Sequence, residues 1–178
     1  MINNFAAEYR RYRAIGEKAM VQVSDEALNQ TLGPDNNSIA MIVRHISGNL
    51  ISRFTDFLTS DGEKEWRDRD SEFGDLKYAR LEIDQMWARA WAVLESQLTA
   101  LKDEDLQKTV SIRGNPLTVH EAFCRSLAHT SSHVGQIVLL GKDIERRKLE
   151  GNQHSKGSVP RVQSESNDGE DSGVSGKE

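Results

Sequence analysis

The stretch Leu127-Ala128-His129-Thr130-Ser131-Ser132-His133-Val134-Gly135-Gln136-Ile137 reads as the middle of a long amphipathic helix. Its two histidines stand four residues apart. At about 100° per residue, that spacing stacks both imidazoles on one helix face, one turn apart. Two nitrogen donors held this way make half of a metal site. Upstream, Thr118-Val119-His120-Glu121 fits a capping box, with Thr118 as N-cap and Glu121 three residues on. The pattern predicts a helix from there to about Ile144 or Arg147. Beyond Gly151, Gly and Ser dominate to Glu178, and the aliphatic residues are Val159, Val162 and Val174. Such a segment buries too little to offset its ordering entropy, so 151–178 is expected to be a disordered tail behind a domain over 1–150.

Working toward the N-terminus, three more long helices are predicted. Asn4 to Gln22 carries Phe5, Tyr9, Tyr12, Ile15, Ala19 and Met20 at helical spacing. Ser24-Asp25-Glu26 starts a short turn through Leu28, and Gly33-Pro34-Asp35-Asn36-Asn37 is a break. The second long helix starts at Asn37 or Ser38, both good caps, and ends at Thr59-Ser60-Asp61-Gly62 with Gly62 as the left-handed residue. Glu63 to Asp75 is a long polar connection containing Trp66 and Phe73. The third helix, Leu76 to Leu101, has an apolar face of Leu81, Ile83, Met86, Trp87, Ala90, Trp91, Leu94 and Leu98. Val110 to Leu117 is an extended or hairpin-like link that turns at Gly114-Asn115-Pro116. Four long helices without convincing strands predict an all-α four-helix bundle. The long second-to-third connection suggests a crossover that is not a simple hairpin.

Composition narrows the function. The 178 residues carry a net charge of −5, and no basic run with interleaved aromatics argues for nucleic acid. No apolar run approaches the roughly 18 residues a membrane span needs. A single cysteine, Cys124, excludes an internal disulfide framework and a multi-cysteine zinc site. With no recognisable signal peptide, a soluble cytoplasmic protein is expected.

The third histidine worth weighing is His45, at the flank of the apolar arc of the second helix, with Asn49 one turn on. His129 and His133 lie at the matching flank of the fourth. If these helices are neighbours, three imidazoles converge on a groove open to solvent. Such a set suits Zn²⁺, Ni²⁺ or a related ion, with positions left for water or a small-molecule substrate. The competing reading is three part-buried histidines bonded to neighbours. His120 lies half a turn from His129, Cys124 about 140° away at helical spacing, and His154 in the tail, so none of these joins the set. Gln136 is a candidate to orient a ligand, and Gly135 to admit a close helix. Arg44 and Arg53 are candidates for an anionic substrate. Arg53 falls within the apolar arc, which predicts a buried pair with an acid or a substrate carboxylate. Trp66, Trp87 and Trp91 read as core or interface anchors.

Two runs carry a family resemblance. Ser38-Ile39-Ala40-Met41-Ile42-Val43-Arg44-His45, followed by Gly48-Asn49-Leu50, resembles the second-helix motif of the DinB-like (YfiT-like) superfamily of metalloenzymes. Arg113-Gly114-Asn115-Pro116-Leu117-Thr118-Val119, followed by His129-Thr130-Ser131-Ser132-His133-Val134-Gly135-Gln136-Ile137, resembles its fourth-helix motif. The similarity spans roughly Asn4 to Lys148, within a branch of small bacterial proteins of unassigned function. It implies up-down-down-up topology, His45, His129 and His133 as metal ligands, and a homodimer. It also implies chemistry like that of its transferases and isomerases, which use a low-molecular-weight thiol such as bacillithiol, mycothiol or glutathione. A metal ion held by the three histidines would activate either water, for hydrolysis, or such a thiol, for transfer to an electrophile, so a metal-dependent transferase or hydrolase is expected. A non-catalytic metal- or partner-binding bundle with a stress-response role is the alternative.

Overall fold

The computed structural model describes residues 1–33, 36–74 and 76–156. Among these lie five α-helices: α1 (Ile2–Met20), α2 (Asp25–Leu28), α3 (Ile39–Phe54), α4 (Arg80–Ala100) and α5 (Val119–Lys156). A small antiparallel hairpin, β1 (Thr109–Ile112) and β2 (Asn115–Thr118), precedes α5. The chain is thus mostly helical, and the hairpin lies where the extended or hairpin-like link over Val110 to Leu117 was expected. No helix among the described residues is long and apolar enough to cross a membrane.

The four long helices bury one apolar core. Phe5 of α1 and Phe54 of α3 both stack on Phe123 of α5, with ring centroids 5.2 and 5.4 Å apart. Tyr9 meets Trp91 of α4 edge-on at 6.3 Å. Gly16 lets α1 approach α4: a Cβ there would stand 3.0 Å from the Trp87 ring. Arg10 pairs with Glu95, and Arg80 at the start of α4 donates to the carbonyls of Met20, the last residue of α1, and of Val23 just past it. Trp87 and Trp91 are therefore core anchors, whereas Trp66 is 60% exposed and Leu81 67% exposed, contrary to expectation.

Helix ends show where local chemistry overrode periodicity. Ser38 caps α3, accepting from Met41 N at 3.2 Å. Thr118 and Glu121 form the predicted reciprocal cap of α5: Thr118 N donates to Glu121 Oε2 at 2.8 Å, and Glu121 N to Thr118 Oγ1 at 3.1 Å. The end of α3 comes earlier than expected. Asp56 takes the left-handed conformation (φ 48°), and Thr59 N and Ser60 N both bond back to its carbonyl at 3.0 Å. Gly62 is not the left-handed residue. It is needed for close approach instead, because a Cβ would stand 2.8 Å from Arg53 Nη1. The third long helix, α4, also starts later than expected, at Arg80 rather than Leu76. Asn29 pairs with the Tyr78 backbone in both directions, each bond 2.9 Å, and holds that residue extended.

At its C-terminal end, α5 runs on to Lys156, past the boundary expected at 150. Arg146 and Arg147 pair with Asp143, and Arg146 with Glu150, at helical spacing. Residues 157–178 of the tail expected over 151–178, and the Pro34-Asp35 part of the predicted break, lie outside the described residues.

The hairpin turns through Arg113 and Gly114, both at positive φ (56° and 72°), one residue earlier than predicted. Two left-handed residues in a two-residue loop match the twist of the paired strands. Asp61 caps that turn. Its carboxylate accepts from Arg113 N (2.8 Å), Gly114 N (2.9 Å), Glu63 N (2.7 Å) and Ser111 Oγ (2.5 Å). The Ser111 hydroxyl and these amides hold the carboxyl well below its ordinary value, against a smaller opposing effect of desolvation. A carboxyl depressed in the folded state stabilises above its unfolded pKa and loses that contribution as pH falls toward the folded value. Asp61→Asn is therefore expected to lower the thermal midpoint at pH 7. The gap to wild type should close as the pH drops below the ordinary carboxyl value of 3.8. Parallel melting curves across that range check it, and a pH-independent gap would contradict the capping role.

Candidate metal centre

Two helices and one connection build the site. Phe54 of α3 lies against Phe123 of α5, and nine residues earlier in α3, His45 reaches the 129–133 face of α5. This adjacency was the condition left open by the spacing alone. His45, His129 and His133 each offer a ring nitrogen, and these atoms lie within 4.8 Å of one another. His45 is buried, at 3% exposure, and the other two are half-buried.

Partners on the far side of two of the rings, His45 and His133, set their tautomers. Glu72 Oε2 lies 2.9 Å from His45 Nδ1. A carboxylate only accepts, so Nδ1 carries the proton and Nε2 presents a lone pair. Gln136 Oε1 lies 2.8 Å from His133 Nδ1 and leaves that Nε2 free in the same way. His45 Nε2 and His129 Nε2 are 3.1 Å apart. Two nitrogens bound to one tetrahedral ion at about 2.0–2.1 Å stand roughly 3.3 Å apart, so the separation fits a shared cation. Burial pushes His129 down to about 4, with His133, His45, Arg67 and Arg53 adding to the effect. Burial lowers His133 as well, opposed by Gln136. At neutral pH both rings are uncharged, the form in which imidazole ligates metal.

Glu72 is the site residue that periodicity missed. It sits in the 3₁₀ turn Asp70–Phe73 and is 5% exposed. Arg67 holds it in a two-pronged contact, Nε to Oε1 at 2.8 Å and Nη2 to Oε2 at 2.9 Å. Burial acts to raise the Glu72 carboxyl, but hydrogen bonds from His45 and Arg67 outweigh it and hold the group ionised. The carboxylate lies directly over Gly48, where a Cβ would meet Oε1 at 2.1 Å. Phe73 packs on the His45 ring at 4.7 Å. A carboxylate behind a ligating imidazole, itself held by a further partner, is the usual support of a histidine metal site.

Other singled-out residues fall as follows. Asn49 and Arg53 line a cavity of about 210 Å³ that opens beside His45 and His129. Arg53 is 8% exposed and, among the described residues, no carboxylate lies within ion-pair distance, so the acid pairing expected of it is absent. Arg44 points elsewhere, donating to Ser71 Oγ at 3.2 Å and lying over the Tyr78 ring. Gly135 faces open space, so no close helix explains it. Cys124 is exposed, 3.9 Å from the His120 ring nitrogens and outside the cluster.

These features define a mostly helical protein with a three-histidine group, one ring buried and two half-buried, that could hold a metal ion. The chain belongs to the family described as "Protein of unknown function (DUF1572)", which it matches over residues 1–162. No curated protein and no solved structure matches it.

Proposed function

We propose that this protein is a divalent-metal-dependent enzyme whose ion, Zn²⁺ or Ni²⁺, is held by His45, His129 and His133. The observation that carries the reading is the convergence of three imidazole nitrogens, one of them backed by the buried Glu72–Arg67 pair. Solvent histidines do not need such support, and a carboxylate in that place raises ligand basicity. The bound ion would acidify water or a low-molecular-weight thiol toward neutral pH, supplying a nucleophile for hydrolysis or for transfer to an electrophile.

The chain's own groups do the rest. Glu72 and Gln136 aim two of the rings, and Phe73 covers one face of His45. Asn49, which lines the same cavity as His45 and His129, would orient a substrate. The resemblance to DinB-like proteins supports the same reading, as does the helix course. Phe5 near Phe123 and Gly141 near Ala19 run α1 alongside α5, while α3 and α4 run against them, which favours up-down-down-up topology. A homodimer is part of the proposal on the same resemblance.

Protein prepared without a polyhistidine tag should carry about one ion per chain by elemental analysis, as a three-ligand site implies. His45→Ala and His129→Ala should each strip it while the helical circular dichroism remains. Full metal content in both variants would reject the ligand set. Metal-dependent turnover of an electrophile in the presence of bacillithiol, mycothiol or glutathione would assign the thiol branch.

A further inference from the structure

We propose that the cavity beside the histidines is an oxyanion subsite, which takes a carboxylate or phosphate group of a small-molecule substrate. Its walls carry five arginines: Arg53, Arg67, Arg69, Arg113 and Arg125. The carboxylates that contact this set are Glu72, bound to Arg67, and Glu63, which lies 3.1 Å from Arg113 and 3.8 Å from Arg67. Two acids against five guanidinium groups leave a net of three positive charges facing about 210 Å³ of space. Arg53, Arg69 and Arg125 have no ion pair among the described residues.

Burial makes the imbalance informative. A surplus of surface arginine is ordinary and solvated. Arg53 is different: it is 8% exposed, and its Nη1 is enclosed with no hydrogen-bond partner. Buried polar atoms are nearly always paired, and charged ones most of all. A surplus of guanidinium donors around one small cavity, one of them on a buried side chain, is matched by a ligand rich in acceptors. Guanidinium suits carboxylate and phosphate because its planar fork meets two oxygens at once. The volume is below that of a typical small-molecule pocket of about 300–1,000 Å³, so it fits a head group. The rest of the molecule then extends toward His45 and His129, which border the same space.

This inference rests on the metal-centre reading for what lies at the reacting end, and its test keeps the two apart. Inorganic phosphate and succinate are titrated calorimetrically into the untagged protein at constant ionic strength in chloride. Metal-loaded and chelator-treated samples are run side by side. Saturable binding of one probe names its class, and binding of both names oxyanions generally. The double variant Arg69→Ala/Arg125→Ala, at exposed positions that leave the core intact, should raise Kd at least about tenfold. Arg53→Met should raise it further. If neither probe saturates in either sample, or if the double variant binds as well as wild type, the subsite does not exist. Phosphate binding by a protein that never holds metal would retain the subsite and discard the metal centre. A metal-loaded protein that ignores both probes would do the reverse.

Discussion

Gly48→Ala should destabilise the protein by about 3–5 kcal/mol, the range for splitting a buried ion pair, and weaken metal retention about 10–100-fold. The sign is what makes this diagnostic. In an ordinary helix interior, replacing glycine by alanine stabilises by roughly 1 kcal/mol. At Gly48 the added methyl would stand 2.1 Å from Glu72 Oε1 and 2.9 Å from its carboxyl carbon. Nothing can relax cheaply, because that carboxylate is the group Arg67 and His45 both hold, and all three side chains are buried. Expelling it strands the Arg67 guanidinium and frees the His45 ring to rotate. Urea denaturation gives the first effect, and metal content after dialysis against a chelator gives the second. A more stable Gly48→Ala protein with its ion intact would show that the Glu72 support is not needed.

Phe123→Ala should cost about 3–5 kcal/mol through cavity formation. Phe123 has no solvent exposure and stands at the meeting point of three helices. It stacks with Phe5 and Phe54, and meets the edges of Tyr9 at 6.3 Å and Phe57 at 5.4 Å. Four aromatic rings on three backbones cannot all move in to fill the hole, so the loss belongs near the upper end. The urea midpoint should fall while the slope of the transition stays that of wild type. Phe123→Leu keeps much of the volume and should cost less than about 1.5 kcal/mol. Equal losses for alanine and leucine would mean that ring stacking, rather than volume, dominates at this position.

The helices were legible because periodicity and capping report the same physics that folds them. Thr118 and Glu121 are a local pair, three residues apart, and their bond needs nothing beyond the chain between them. The histidine pair at 129 and 133 was readable for the same reason. Glu72 was not: its partners are Arg67 and His45, and the latter lies 27 residues away on another element. The one available sign was a long polar connection rich in charge, which marks many loops with no such role. Gly62 misled because a glycine after a helix usually means a left-handed cap, and here Asp56 made the reversal first. Gly135 and Trp66 show the complementary limit. Residue type suggests tight packing, but only the placement of neighbours decides whether anything is there to pack against.

The separation of the three imidazoles along the chain carries one more consequence. Position 45 and position 129 are 84 residues apart. An unfolded chain pays a large loop-closure entropy to bring such distant positions together, and a neighbouring pair on one helix cannot substitute for the third donor. The full nitrogen cluster is therefore expected to close only when α3 docks along α5. Ion uptake in refolding would then act as a clock for that docking, lagging the fast local coiling of each helix and running abreast of final collapse.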